Sequence, residues 1–243
     1  MPEVIWIIGA TEGIGEALAR AWASQGARLI LSARSSEKLD RLITELGSQH
    51  FAIPLDVGKR STIAAAADQI SHNGPLDRII HLAALYDPGK VTEIDPDKAA
   101  EIVNVNLTGS FHIAQIAPPL LKKGGQLALC GSVAGYIGLP QGQIYSASKA
   151  GVISLAQTLR SELAGITDVR LISPGFVETR LTQRNDFTMP AIITPQKATD
   201  AIIKGLNSRR FEVHFPRRFT YILKMISVLP YWASLPLLRR LTR

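Results

Sequence analysis

Tyr145 and Lys149 stand one helical turn apart in "IYSASKAG" (144–151), among small side chains. On an α-helix that spacing puts a phenol and an ammonium on one face. A phenol with its ordinary pKa of about 10 is a poor acid or base at neutral pH. A nearby ammonium stabilises the phenolate and lowers that value. A phenol tuned in this way gives a proton to a carbonyl oxygen as hydride arrives, or takes one from an alcohol in reverse. Ser132, just after the apolar run "QLALC", adds a hydroxyl able to donate to the same oxygen. A Tyr-x-x-x-Lys pair alone is also what a plain surface helix shows, so its companions decide the reading.

The first companion is a glycine turn. In "IGATEGIGEALARAWASQG", Gly9, Gly13 and Gly15 follow an apolar run and lead straight into a helical pattern. Glycine lets the backbone come close to a pyrophosphate, and a helix N-terminus favours its negative charge. Thr11 and Ile14 of the same turn are grouped with Gly9, Gly13 and Gly15 as cofactor contacts. Tight strand–helix packing would call for the same glycines. The second companion is "SARSSEK", which closes the second apolar run. An acidic residue there would hold the 2′-hydroxyl of NAD. This chain has Ala33 at that place and Arg34 beside it. A guanidinium suits a 2′-phosphate, so NADP(H) is favoured over NAD(H). Glu12, in the glycine turn, counts against that preference.

These residues need a frame. Short apolar runs at 4–8, 27–32, 51–55, 78–83, 126–130 and 169–173 alternate with longer helical patterns. Runs apolar on both faces suit a buried parallel sheet. The helices carry start signals: serines before Leu39, Leu42, Ile43 and Leu46, Asp95 before Pro96, and Thr194 before Pro195. The alternation predicts an α/β fold, a Rossmann-like doubly wound parallel sheet of about seven strands with helices on both faces. "FEVHF" (211–215) supplies an edge strand. The long stretch from Asp95 reads as helical. No linker or repeat interrupts the chain, which reads as one domain, with a core over 1–214 and an extension over 215–243.

Composition narrows the function classes. The 243 residues carry a formal charge of +7. Residues 209–243 hold eight basic residues and one acidic, so the whole excess lies in the tail and no nucleic-acid partner is implied. Cys130 is the only cysteine, which forbids an intrachain disulfide and fits a reducing, cytoplasmic setting. The start "MPEVIWIIGA" carries Glu3 and reads as a strand, not a signal peptide. No metal is called for.

Together, "GATEGIG", "LDV" (55–57), "NVNLTG" (104–109), the serine of "CGSVAG", "YSASK" and "SPGFVET" (173–179) resemble the short-chain dehydrogenase/reductase family, in its single-domain branch. The resemblance covers about residues 4–210, and the spacing from Ser132 to Tyr145 matches. It implies an oxidoreductase of the carbonyl reductase or alcohol dehydrogenase type, with Ser132, Tyr145, Lys149 and Asn106 as the catalytic set. Asn106 would kink its helix and hold a water linking Lys149 to solvent. Lys149 would also bind the nicotinamide ribose. Asp56 and Val57 would sit at the adenine, with Ala83 also among the cofactor contacts. Pro174, Gly175 and Thr179 would line the nicotinamide and phosphates. The helices around Asn106 and Tyr145 resemble the family's dimer faces, which implies a homodimer or homotetramer.

The chain departs from the family at "HLAA" (81–84), where Asn-Asn-Ala-Gly is usual. His81 is read as a hydrogen-bonded structural residue and Ala84 as an added methyl group beside the cofactor path. Ile8 stands where threonine is common. Cys130 is read as a small buried residue and not a nucleophile. Two other readings stay open: an epimerase or dehydratase using the same pair, and a non-catalytic dinucleotide-binding regulator. The loop 178–194, with Phe187, Met189, Ile192 and Ile193, suggests a hydrophobic small-molecule carbonyl or alcohol, or simply loop packing. Residues 219–238 are largely apolar, hold Lys224, Pro230 and Pro236, and are bracketed by arginine pairs. Such a run reads as a membrane span, as a peripheral anchor over 215–243 on the inner membrane surface, or as a tail packed on the cleft or a partner subunit.

Overall fold

The structure, a computed structural model, describes residues 2–185 and 187–241. Asp186 in the loop and the end of the tail, Thr242 and Arg243, lie outside the described residues.

Seven parallel strands form one sheet: β1 (Val4–Ile8), β2 (Arg28–Ser32), β3 (Phe51–Ala52), β4 (Leu76–His81), β5 (Leu121–Cys130), β6 (Asp168–Pro174) and β7 (Glu212–Phe215). The spatial order is β3-β2-β1-β4-β5-β6-β7. The chain leaves β1 toward one edge and returns to β4 on its other side, so the order reverses between them. That reversal opens a crevice at the carboxyl ends of β1 and β4.

The strands are apolar throughout because both faces are covered. Side chains alternate across the sheet. Ile79 joins the core under α3 (Arg60–Ser71), α5 (Gly109–Leu120) and α6 (Gln143–Glu162). Ile80 joins the opposite core under α1 (Gly13–Ser24), α2 (Ser36–Leu46) and α7 (Pro195–Leu206). Each fully buried aliphatic side chain is worth roughly 1.5–3 kcal/mol over its exposed state.

Local signals act where the sequence places them. Ser35, Asp95 and Thr194 each accept a hydrogen bond from a backbone N–H of the first turn that follows, at 3.3, 2.9 and 3.4 Å. Leu39 and Leu42 are buried, with Ile43 and Leu46 packed beside them. The edge strand near 211–215 forms as β7.

Two expectations change. The third strand is assigned only to Phe51–Ala52, although Ile53 N still donates to the Leu31 carbonyl at 2.9 Å and Leu55 N to the Ala33 carbonyl at 3.0 Å as the chain runs on to the crevice. The fifth begins at Leu121, well before Gln126, through a register shift against β4. The helical stretch from Asp95 changes its winding at Asn106. α4 (Pro96–Val103) passes into a π-helical turn over Asn104–Thr108 before α5 resumes. Residues 219–238 also fold differently from a span. α8 (Arg217–Ser227) and α9 (Tyr231–Leu241) meet at Val228–Pro230, and no helix among the described residues is long and apolar enough to cross a membrane.

Candidate active site

Tyr145 lies near the start of α6, and Lys149 one turn later at 2% exposure. Ser132 follows β5, and its Oγ accepts from the Ala134 N–H at 3.1 Å, which fixes the hydroxyl over a tight turn. Ser132 also hydrogen-bonds the Tyr145 phenol. All three line one cleft with Gly9, Gly13 and Gly15. Elements far apart in the chain thus bring the hydroxyl, phenol and ammonium to the crevice end of the sheet.

The electrostatics differ from the simple pairing expected of Tyr145 and Lys149. The Lys149 ammonium donates to the Cys130 carbonyl at 2.7 Å and sits 5.7 Å from the Tyr145 ring centroid. Burial pushes the Tyr145 phenol above its ordinary value, and the same burial pulls Lys149 below its own. Desolvation outweighs the ammonium because the ammonium is turned toward a backbone carbonyl. Burial also holds Cys130 as a thiol.

Asn106 occupies the middle of the π turn and is 1% exposed. Its Oδ1 accepts from Leu85 N at 2.7 Å, while Nδ2 donates to the Leu85 carbonyl at 2.9 Å and to Ser148 Oγ at 3.1 Å. The amide therefore ties the strand-end loop to the residue beside Lys149. It makes no hydrogen bond to the ammonium, so its reach toward Lys149 runs through Ser148's position.

The adenosine side of the crevice is a second cleft, reached from β2 and β4. Thr11, Arg34, Asp56, Val57 and Ala83 line it, together with Ser35 and Lys38. Gly9, Glu12 and Arg180 are shared by both clefts. Ile14, Pro174, Gly175 and Thr179 line the catalytic one. Two glycines there have no room for a side chain. A Cβ on Gly15 would lie 1.9 Å from the Gly9 carbonyl oxygen, and one on Gly13, at φ +57°, would lie 2.9 Å from Thr179. Gly15 is thus required by strand–helix packing, whereas Gly13 keeps the floor open between α1 and the loop after β6.

Sequence reading missed the ion pairs in this crevice. Glu12 is held by Lys38 and by Arg180, the latter at 3.2 Å from 168 positions away. The hydrogen bond from Lys38 is the largest cause of a Glu12 pKa below the ordinary carboxylate value. The acid that opposed a phosphate-binding reading is thus already neutralised. Arg34, Lys38 and Arg180 bring three basic groups to the crevice, two of them paired with Glu12. The signal for Lys38 was present, because it stands four residues after Arg34, in the first turn of α2; Arg180 had no such signal.

A third, mostly apolar cleft adjoins Ser132 and Tyr145 and is lined by Tyr86, Leu139, Phe176 and Phe187 among others. Tyr86 packs edge-on to Tyr145 with centroids 4.7 Å apart, and its hydroxyl donates to Asn185 at 2.6 Å. Phe187 reaches the cleft as expected and packs edge-on to Phe176 at 5.8 Å. Met189 sits behind, its sulfur 3.2 Å from Asn185 Nδ2. Ile193 does not face the cleft. A bridge to Val177 turns it into the core beneath α1 and α7.

His81 also corrects an expectation. At 1% exposure, neither ring nitrogen has a hydrogen-bond partner. Burial first and Lys149 second push its pKa down to about 3. It is a neutral core residue without the hydrogen bonds expected of it, and it lines none of the clefts above. Ala84 does line both the catalytic and the adenosine clefts.

Comparison with known proteins agrees with this geometry. Residues 3–189 match the family model described as short chain dehydrogenase. An uncharacterized oxidoreductase of Staphylococcus epidermidis is 30% identical over 208 residues, covering 84% of this chain and 90% of that protein. A short-chain dehydrogenase from Sphingobium yanoikuyae, solved with NADPH, is 25% identical with a TM-score of 0.80, covering 95% of this chain and 97% of that one. A short-chain dehydrogenase/reductase from Burkholderia phymatum, solved with NAD, has a TM-score of 0.83 at 23% identity over 92% of each chain, and shows the shared fold. The parallel sheet, the glycine turn and the matched region make this chain a member of the short-chain dehydrogenase family of oxidoreductases.

Proposed function

We propose that the chain interconverts a carbonyl and a secondary alcohol on a hydrophobic small molecule, using NADP(H) in preference to NAD(H). The observation that carries this reading is the convergence of Ser132, Tyr145 and Lys149 in one cleft with the glycine turn, between a basic crevice and an apolar one. The nicotinamide, when bound, supplies or accepts the hydride. Tyr145 holds the proton that moves to or from the substrate oxygen. Burial keeps that proton on the phenol at neutral pH but weakens it as an acid, and the hydrogen bond from Ser132 acts in the opposite direction. Ser132, fixed over its turn, offers a second hydrogen bond to that oxygen. Lys149 anchors the Tyr145 turn of α6 on the Cys130 carbonyl. Asn106 is a positioning residue through Leu85 and Ser148.

Arg34, Ser35 and Lys38 would hold the 2′-phosphate, and Asp56 and Val57 would border the adenine. Gly13, Pro174, Gly175 and Thr179 would line the path of the pyrophosphate and nicotinamide. Tyr86, Leu139, Phe176 and Phe187 give the substrate side its apolar character. The whole chain acts as one catalytic unit. It pairs into a homodimer through the faces of α4, α5 and α6, where Phe111 remains 43% exposed; light scattering that finds only monomer at micromolar concentration would reject the pairing. Peripheral contact of residues 215–243 with a membrane surface completes the proposed partners.

The test of the reaction is NADPH oxidation over a panel of hydrophobic ketones and aldehydes, with Tyr145→Phe beside the native chain. The variant is expected to lose about 10²–10⁴-fold in turnover. NADPH binding should stay within about twofold, since Lys149 and the basic crevice remain. Near-native turnover by the variant would sink the mechanism.

A further inference from the structure

The carboxyl-terminal hairpin has two faces of opposite purpose. Its inner face is packed: Phe219, Leu223 and Ile226 of α8 and Leu238 of α9 are buried against Val133, Leu139 and Phe176. Those last three residues belong to the wall of the apolar cleft or pack directly behind it. Glu212 of β7 fastens the hairpin from below, engaged by both Lys224 and Tyr136.

The outer face is apolar and uncovered. Among the described residues, nine of the thirteen exposed large hydrophobic side chains lie between Tyr221 and Leu237. Ile222 and Met225 sit one turn apart on α8, and Trp232 and Leu235 one turn apart on α9. Tyr231 and Trp232, at the start of α9, are 80% and 81% exposed. Apolar side chains gathered in this way on one surface mark an interaction site.

Charge selects the occupant. Arg217 and Arg218 begin α8, Arg239 and Arg240 lie near the end of α9, and all four are exposed. No carboxylate pairs with them among the described residues. The only acidic residue of the segment, Glu212, is already engaged. A two-fold contact with a second copy would bring the same patch against itself, arginine facing arginine with no acid to answer it. An anionic lipid surface answers both features: it solvates the apolar face, takes aromatic rings at its boundary and attracts the arginines.

We propose that the outer face of α8–α9 docks on an anionic lipid surface, lying flat at the interface. Docking leaves the cleft about one helix diameter, roughly 10 Å, from the lipid. The hairpin is too short to span, so the contact is peripheral and reversible.

Trp232 is a built-in reporter, because the other two tryptophans, Trp6 and Trp22, are buried. The full chain is mixed with vesicles of phosphatidylcholine alone, or of phosphatidylcholine with phosphatidylglycerol, at low and high salt. Co-sedimentation and the Trp232 emission wavelength are read together. The expected result is a blue shift and sedimentation with the anionic vesicles, weakened by salt and much weaker with neutral ones. Arg239→Gln with Arg240→Gln should weaken binding by at least about tenfold, at roughly fivefold per arginine. Ile222→Ser with Met225→Ser should weaken it further, with NADPH binding retained as the check on folding. An intact chain that stays in the supernatant at low salt overturns the proposal. So does vesicle binding that neither pair of variants weakens, or concentration-dependent self-association through this face with no vesicle binding. Because neither readout uses turnover, a chain that docks yet reduces no carbonyl would count against the reaction and not against the docking.

Discussion

Replacing Arg34 with alanine is expected to weaken NADPH binding by about 10–30-fold while leaving NADH within about twofold. Arg34 lies on the adenosine cleft just after β2, and the second basic group there, Lys38, is shared with Glu12. A hydrogen bond to a charged group is worth roughly 1.5–3 kcal/mol. Arg34 is exposed, so solvent screening limits the loss to the lower part of that range, about 1.5–2 kcal/mol. At 1.36 kcal/mol per factor of ten, that is the predicted change. Lys38→Ala should cost less, at most about fivefold, because its side chain is 39% exposed and already pairs with Glu12. Glu12→Gln should act in the opposite direction. It removes a carboxylate from the crevice and frees both Lys38 and Arg180, so NADPH should bind several-fold more tightly. Fluorescence titration of both cofactors against the native chain and the three variants measures all of this. Raising salt should shrink the Arg34 effect, since the Debye length is about 10 Å at 0.1 M. Equal losses for NADPH and NADH in Arg34→Ala, or a native chain that prefers NADH, would refute the reasoning.

Two further outcomes concern stability. His81 has a folded pKa of about 3 against an ordinary 6.5. As pH falls below 6.5 the unfolded chain takes up a proton that the folded chain refuses, so stability declines toward pH 3. His81→Leu removes two unpartnered ring nitrogens and should flatten that decline in urea titrations between pH 7 and 4; an unchanged slope would show that other groups set it. At Glu212 burial raises the pKa, but the hydrogen bond from Lys224 and its companions outweigh it, leaving a net value below 4.5. Its contribution is therefore present above pH 4.5 and lost as pH falls through the folded value. Glu212→Gln should cost about 1–3 kcal/mol at neutral pH by removing the negative charge and one of the two acceptor oxygens that Lys224 and Tyr136 use, and a denaturation midpoint equal to native would remove Glu212 as the hairpin's fastening.

The sequence by itself determined the parts whose cause is local. Apolar runs bounded by turns became strands because their side chains suit burial on both faces. Ser35, Asp95 and Thr194 became caps because a short oxygen-bearing side chain meets the first free N–H groups wherever a helix starts. Tyr145 and Lys149 were legible as a pair because helical spacing alone puts them together, and Ser132 because it follows a strand that must reach the crevice. What only the tertiary structure decided depends on distant segments meeting. The Glu12–Arg180 pair joins residues 168 apart, and Tyr86 reaches Asn185 across 99. No periodicity encodes either contact. The direction of the pKa shifts was decided in the same way. Spacing brings an ammonium near a phenol, but the depth of the cleft and the Cys130 carbonyl set the balance in favour of desolvation. The tail shows the division most plainly. Its largely apolar run of twenty residues and its arginine pairs were visible in the chain, yet whether they span, pack or lie flat turned on two events. The helix breaks at Val228–Pro230, and one side of the resulting hairpin finds the back of the cleft while the other finds nothing among the described residues to cover it.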